Sequence, residues 1–280
     1  MRRILFNPVC WCVVLALVAP VNVLKAGGGS GPGGGHKHVV SAKAAAKAAA
    51  KISRSQDLRN ISRLRETNNN GPSAKTPVAS FAEEAAALYE EINLQEIGLT
   101  KKAFEYALKG YYYMLEHHWL SKTNILSICD LSQSSRNKRL YVLDLEQKTV
   151  LVNTYVAHGR NSGMEYARSF SNNPSSHKTS LGFYVTQDTY CGSNGLSLKM
   201  RGMEKGFNDR AGGRNIVVHG SEYVGPDFLQ MNGVSGRSYG CPAIPADESQ
   251  EIIDLIKEGS CLFIYHPTKR YISRSKILNG

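Results

Sequence analysis

From Asn124 onward the chain breaks into short apolar runs, ILSICDL, RLYVLDL, TVLVNTYVA, GFYVT, LSLKM, NIVVH and CLFIYH, separated by SQSS, EQK, GRNSG, NNPSS and GSNG. β-Branched and aromatic side chains fill the runs and turn formers bound them, so each reads as a strand. Their spacing predicts an all-β sandwich or barrel for this part of the chain.

Ahead of the strands the period changes. Ser80-Phe81-Ala82-Glu83 has the spacing of a capping box, and Phe81, Ala85, Leu88, Tyr89 and Ile92 then recur at helical intervals. Thr100 is placed to cap a second helix carrying Phe104, Ala107, Leu108, Tyr111 and Leu115. The aromatic content of these helices reads as packing surface rather than a cofactor box. One more helix is expected over 247–257, where Ile252, Ile253 and Ile256 form a stripe and Gly259 follows as a stop. The fold class is therefore mostly β with N-terminal α-helices, as a helical segment over 79–120 and a β domain over 121–280. No internal repeat is visible.

Earlier residues are not expected to join that core. Positions 27–78 run from GGGSGPGGG through SAKAAAKAAAK to NNNGPSAKTP without one aromatic residue. Such a stretch buries too little surface to offset its ordering entropy and reads as a disordered linker, helix-prone at its alanines. Residues 1–26 combine Arg2 and Arg3 with an apolar run from Val9 to Ala19 and small residues near Ala26. That is the pattern of a secretory signal peptide, with an uncleaved anchor as the alternative, and it predicts export to the periplasm or cell envelope. Residues 1–78 carry 12 Lys/Arg against 2 Asp/Glu, leaving 22 against 21 for the remainder. A nucleic-acid-binding fold shows its basic face on the folded part, so no nucleic acid is expected as a partner. The basic tail fits loose attraction to an anionic envelope surface, or simple solubility of a linker.

Within GVSGRSYGCPAIP, residues 233–245, Cys241 is set between a glycine and a proline. A metal site would need several ligands at workable spacing, but no CxxC or HExxH occurs and the 8 histidines are scattered. Neither metal nor cofactor is expected. In an oxidising compartment Cys129, Cys191 and Cys261 are all available for disulfides. Cys129 and Cys261 lie in apolar runs and read as small buried hydrophobes, Cys191 lies at a turn, and the pairing stays open. A nucleophile demands a neighbouring base and donors for an oxyanion. NIVVHGSEYVG places His219 at a strand end, followed by Gly220 and Ser221, at the rim of the scaffold where function sits. Glycines around Ser238 and Cys241 allow the tight turn that aims backbone N–H groups at a carbonyl. His219 and Cys241 are the candidate pair.

HGS followed by SYGC resembles the active-site signature of the YkuD-type L,D-transpeptidases, cysteine enzymes that remodel bacterial peptidoglycan. The chain is most similar to the branch described as murein L,D-transpeptidase catalytic domain family proteins. The resemblance runs through AFEYALKGY, RLYVLDL, VAHGRNSG, FSNNPSSHKTSLGFY, GLSLKMRGMEKGFNDRAGGRNIVVHGSEYV and GRSYGCPAIP, about residues 95–267. It implies a YkuD-like β sandwich or barrel, with Cys241 as nucleophile, His219 as its base, and a backbone carbonyl near the histidine as orienting partner. Ser238 and Gly240 match the motif's serine and glycine, and SLGFY, 180–184, resembles this branch's TPxGxF element. Tyr239 replaces the second histidine of the commoner SHGC pattern, Pro242-Ala243 follows the cysteine, and 18 residues separate His219 from Ser238. Arg237 and His158 are candidates for the missing contacts; each also reads as a loop residue satisfied by backbone carbonyls.

The reaction the resemblance implies is attack by Cys241 on the L-centre-to-D-Ala amide of a peptidoglycan tetrapeptide stem. D-Alanine leaves and the acyl group passes to an amine, as a 3-3 crosslink, or to water, as an L,D-carboxypeptidase. Gly240, Ser238, Tyr239, Arg237, Gly220, Ser221 and His158 are the candidate oxyanion or substrate contacts. Two rival classes are a thiol hydrolase of ordinary peptides and a wall-binding protein with a dead site.

Overall fold

Ser80 and Thr100 act as the expected caps. At the head of α1 (Phe81–Glu91), Ser80 Oγ accepts from Glu83 N at 3.4 Å while Ser80 N donates to Glu83 Oε2 at 2.7 Å, a reciprocal capping box. At the head of α2 (Lys101–Glu116), Thr100 Oγ1 accepts from Ala103 N at 3.3 Å and donates to Asp130 Oδ2 at 3.0 Å. The second bond ties the helix start to the end of the first strand. These elements belong to a computed structural model that describes residues 80–280. The signal peptide and basic linker expected over 1–78 lie outside the described residues.

Eight strands follow: β1 (Ile125–Asp130), β2 (Leu140–Asp144), β3 (Thr149–Thr154), β4 (Gly182–Gly192), β5 (Gly195–Gly202), β6 (Val217–Ser221), β7 (Ala243–Pro245) and β8 (Cys261–Tyr265). They form one sheet in the order β3-β2-β1-β8-β4-β5-β6-β7. The β1–β8 and β6–β7 pairs are parallel and the others antiparallel. Just beyond β3, Ala157 forms an antiparallel bridge to Ala243 on β7, so the two ends of the sheet order meet and the sheet is nearly closed. The mostly β class with N-terminal helices is the one the sequence predicted.

Strands β1, β2 and β8 are buried at every position, which is why their sequences run apolar instead of alternating. Helix α2 lies over β1 and β8. It needs a glycine to do so: a Cβ on Gly110 would stand 1.9 Å from Phe183 Cζ, and Phe183 is stacked on Phe263 with ring centroids 4.0 Å apart. We therefore expect Gly110→Ala to destabilise the fold by about 1–3 kcal/mol, because overpacking outweighs the gain of ~1 kcal/mol in helix propensity. Urea unfolding checks this; a midpoint equal to or above wild type would mean the helix is not seated so closely.

The remaining elements are a 3₁₀ turn (Gly212–Arg214), α3 (Pro226–Asn232), α4 (Ser249–Ile256), α5 (Lys269–Arg274) and α6 (Lys276–Asn279). Helix α4 is the one expected over 247–257 and buries Ile252, Ile253 and Ile256. Strand β7 and helices α3, α5 and α6 were not anticipated. The AIP of β7 follows Pro242, ends on Pro245 and reads locally as loop; pairing with β6 makes it a strand. One hydrophobic cluster reaches from Ala85 on α1 to Leu278 on α6, so helices and sheet share a core. Helix α2 covers the β1/β8 part of the sheet, while β6 and β7 stand at the far end of the strand order. Cys129, Cys191, Cys241 and Cys261 are all free thiols, the first and last buried. No helix among the described residues is long and apolar enough to cross a membrane.

Candidate active site

Asn215 closes the 3₁₀ turn in the left-handed conformation, φ 54°, a region asparagine tolerates better than most residues. It swings the chain into β6 and sets its carbonyl 3.7 Å from Cys241 Sγ. The backbone amide of Val217, at the start of β6, is among the groups that favour the ionised form of the thiol. Two residues further along that strand comes His219, whose register partner across the parallel β6–β7 pair is Ala243, two residues after Cys241. Cysteine and histidine thus lie on adjoining backbone segments at the β6/β7 end of the sheet.

The His219 ring is 4% exposed, and its Nδ1 lies 2.9 Å from the Gly220 carbonyl. That carbonyl takes the Nδ1 proton, so Nε2 of the neutral ring carries the free lone pair. The thiol itself is directed at Asn215 rather than at His219. Gly220 is held small by the start of α4: a Cβ there would stand 2.6 Å from Ser249 Oγ. Ser221 follows, opposite Pro245 in the strand pairing.

Ser238 shapes the cysteine loop. Its hydroxyl donates to Cys241 O at 2.6 Å and accepts from Gly240 N at 3.0 Å; its N donates to His158 O at 3.0 Å, and its carbonyl accepts from Arg160 N at 2.7 Å. The Gly240 amide is thereby used inside the loop, whereas the Tyr239 amide has no partner among the described residues. Gly240 adopts φ +124°, and a Cβ would sit 2.9 Å from Lys178 O and 3.2 Å from Arg214 Nη2, so the position takes only glycine.

Burial raises the Cys241 thiol above its ordinary range, opposed by the Val217 amide, the Arg214 guanidinium and the cysteine's own amide. Two hollows flank the exposed ring of Tyr239. One, about 310 Å³, is lined by His177, Gly213, Arg214 and Asn215; the other, about 380 Å³, by Arg160, Met164, Phe228, Asn232 and Arg237. Tyr239 meets His177 edge-on at 4.7 Å, and the Arg160 guanidinium lies 5.6 Å over its ring. Arg237 Nη1 reaches Met164 Sδ at 2.8 Å across the mouth of the second hollow.

Of the residues singled out in the sequence, Cys241, His219, Gly220, Ser221, Ser238, Tyr239, Gly240 and Arg237 converge here. The ring of His158 does not. It is 1% exposed, its Nδ1 accepts from Arg139 Nη2 at 2.8 Å and its Nε2 faces Gly163 O at 3.4 Å. Burial and the Arg139 charge push its pKa down to about 4, so the ring is a neutral strut, and the residue serves the site through its carbonyl on Ser238. Arg214, Asn215, Arg160 and His177 were missed by sequence reasoning. Arg214-Asn215 carried a usable signal, since the pair lies just ahead of the strand that carries His219. The other two depend on which loops meet. Among the described residues no group of three His, Cys, Asp or Glu side chains is arranged to hold a metal ion.

No curated protein sequence matches the chain. Similar solved structures include an L,D-transpeptidase from Mycobacterium smegmatis, with 12% identity over 51% of this chain and 59% of that one and a TM-score of 0.32. L,D-transpeptidase 3 from Mycobacterium tuberculosis matches with 9% identity over 51% and 61%, TM-score 0.34. An L,D-transpeptidase from Stackebrandtia nassauensis matches with 12% identity over 76% and 92%, TM-score 0.31. The chain thus spans less than two thirds of the length of the first two. The YkuD_2 family, described as L,D-transpeptidase catalytic domain, matches residues 95–265. That span takes in the helix α2, all eight strands and the whole Cys241–His219 site, and the chain belongs to the L,D-transpeptidase catalytic domain family.

Proposed function

We propose that the protein is a cysteine acyltransferase that remodels peptidoglycan, with Cys241 as nucleophile and His219 as general base. The observation that carries this reading is the placement of the thiol. It lies beside a cleft, against the Asn215 carbonyl, on the backbone segment adjoining a histidine whose Nδ1 is fixed by a backbone carbonyl. His219 Nε2 takes the thiol proton and the sulfur adds to the carbonyl of the L-centre-to-D-Ala amide of a tetrapeptide stem. The amides of Tyr239 and Cys241 face the resulting oxyanion. The C–N bond then breaks, His219 returns its proton to the amine of D-alanine, and a thioester to Cys241 remains. An amine of a second stem attacks that thioester, gives its proton to His219 and leaves with the acyl group as a 3-3 crosslink, restoring the thiol.

Arg237 and Tyr239 border the hollows on either side and are assigned to substrate contact; Ser238 holds the loop in shape. The basic segment over 1–78 supplies loose attraction to the anionic envelope in which such a substrate lies. The test is product analysis of the reduced full chain with a disaccharide-tetrapeptide. D-Alanine release, an acyl adduct on Cys241 and a crosslinked dimer are expected, with L,L-peptides untouched. Tripeptide without dimer would make water the acceptor. No D-alanine release from folded protein with a free thiol would overturn the assignment.

A further inference from the structure

Arg214 is half-buried at the end of the 3₁₀ turn, and four neutral oxygens take its terminal N–H groups. Nη1 donates to Ser171 O at 2.9 Å and Ser180 Oγ at 2.5 Å; Nη2 donates to Ser176 Oγ at 3.2 Å and Lys178 O at 2.8 Å. Among the described residues no carboxylate lies within salt-bridge distance of it. Its charge is therefore not cancelled locally. With both Nη groups fully used it also has no fork left to close on a substrate carboxylate.

What the guanidinium does face is the cysteine loop. Nη2 would be 3.2 Å from a Cβ at Gly240, and the adjoining residue, Asn215, presents its carbonyl to Cys241 Sγ. The missing side chain at Gly240 lets a rigidly held cation approach the backbone just before the nucleophile. We propose that Arg214 is a positioning residue that favours the thiolate of Cys241 through its uncancelled charge, an inference that rests on Cys241 being the nucleophile.

The other groups around the thiol are occupied differently. On β6, His219 is tied through Nδ1 to Gly220 O. After β6, Tyr223 is held neutral, chiefly by burial. From the 171–180 loop, Lys178 turns its Nζ to Ser169 Oγ at 2.7 Å and His177 packs on Tyr239, while Arg160 lies over the same ring. Among the charged side chains, Arg214 is the one whose field opposes the burial of Cys241; its own pKa is lowered by burial, an effect that Tyr184 and then Cys241 oppose.

A purely structural reading would make Arg214 a strut between the 171–180 loop and β6, and the two readings separate on the pH dependence of Cys241 alkylation. The full chain is treated with iodoacetamide at a series of pH values and modification is read on the Cys241 peptide by mass spectrometry. This excludes signal from the other cysteines. In Arg214→Gln, which keeps an amide donor but removes the charge, the titration midpoint should rise. Alkylation below the wild-type midpoint should then slow by about 3–10-fold. Arg214→Lys, which keeps the charge but not the four bonds, should stay within about 2-fold of wild type. The paired change Ser176→Ala with Ser180→Ala, which removes two bonds and keeps the charge, should leave the midpoint in place. An unmoved midpoint in Arg214→Gln overturns the proposal, as does an equal shift in the Gln and Lys variants. If Arg214→Gln does not fold, the other two decide: wild-type midpoints in both support the charge, and a raised midpoint in the serine pair means a strut. The titration uses no peptide substrate, so its outcome is independent of whether Cys241 turns over a peptidoglycan stem.

Discussion

Replacing Cys241 by alanine is expected to abolish D-alanine release, a loss on the order of 10⁴-fold or more, while leaving the fold intact. The size follows from covalent catalysis: without sulfur no thioester forms, and what remains is binding and oxyanion stabilisation alone. Stability should hardly change, because Cys241 is partly exposed and its sulfur makes one long contact at 3.7 Å. Cys241→Ser should be almost as inactive, since a hydroxyl is a far weaker acid than a thiol and the orienting partner of His219 is a neutral carbonyl. Measuring D-alanine release beside thermal unfolding separates loss of chemistry from loss of fold. An alanine variant that keeps more than about a hundredth of the wild-type rate would remove the cysteine from the mechanism. A wall-binding protein would keep its biological role in the same variant.

The second large effect is expected at His219. An asparagine there retains a donor for the Gly220 carbonyl but offers no ring nitrogen to take a proton, so kcat/KM should fall by about 10²–10⁴-fold. Its pH dependence is the diagnostic part. Burial holds the Cys241 thiol above the ordinary thiol range. Below that pKa the thiolate fraction falls about tenfold for each unit of pH. With His219 as the proposed base, the wild-type rate should level off well below the thiol's own titration. In His219→Asn the rate should keep climbing with pH toward the raised thiol pKa, recovering part of the loss in alkali. Parallel profiles for variant and wild type would show that His219 is not the base.

Much of this molecule can be read locally. The Ser80–Glu83 box and the Thr100 cap form as their spacing dictates, because an N-cap bond joins residues three apart and needs nothing from the rest of the chain. Strands β1, β2 and β8 announce themselves as apolar runs, since each is buried along its length. The β4–β5 hairpin was foreseen at its ends; the polar QDTYC stretch between them became strand through pairing across the bulge between Thr186 and Thr189. The SYGC and HGS motifs are equally local: Ser238 bonds to groups two and three residues away, and His219 Nδ1 bonds to its neighbour's carbonyl.

What the sequence by itself determined was the mostly β class, the two capped helices, and the choice of Cys241 and His219 as the residues to watch. Only the tertiary structure decided what surrounds them. His158 and Arg237 read alike as loop residues, yet Arg139, 19 positions before His158, takes the ring of one, while the other reaches Met164, 73 positions away, at the mouth of a hollow. Arg214 meets a loop 34 to 43 residues earlier in the chain. β7 became a strand because β6 lay beside it. Caps, periodicity and tight turns are set by interactions within a few residues. Strand register and loop meeting points are set by how the whole hydrophobic core closes, and no short window of sequence contains that information.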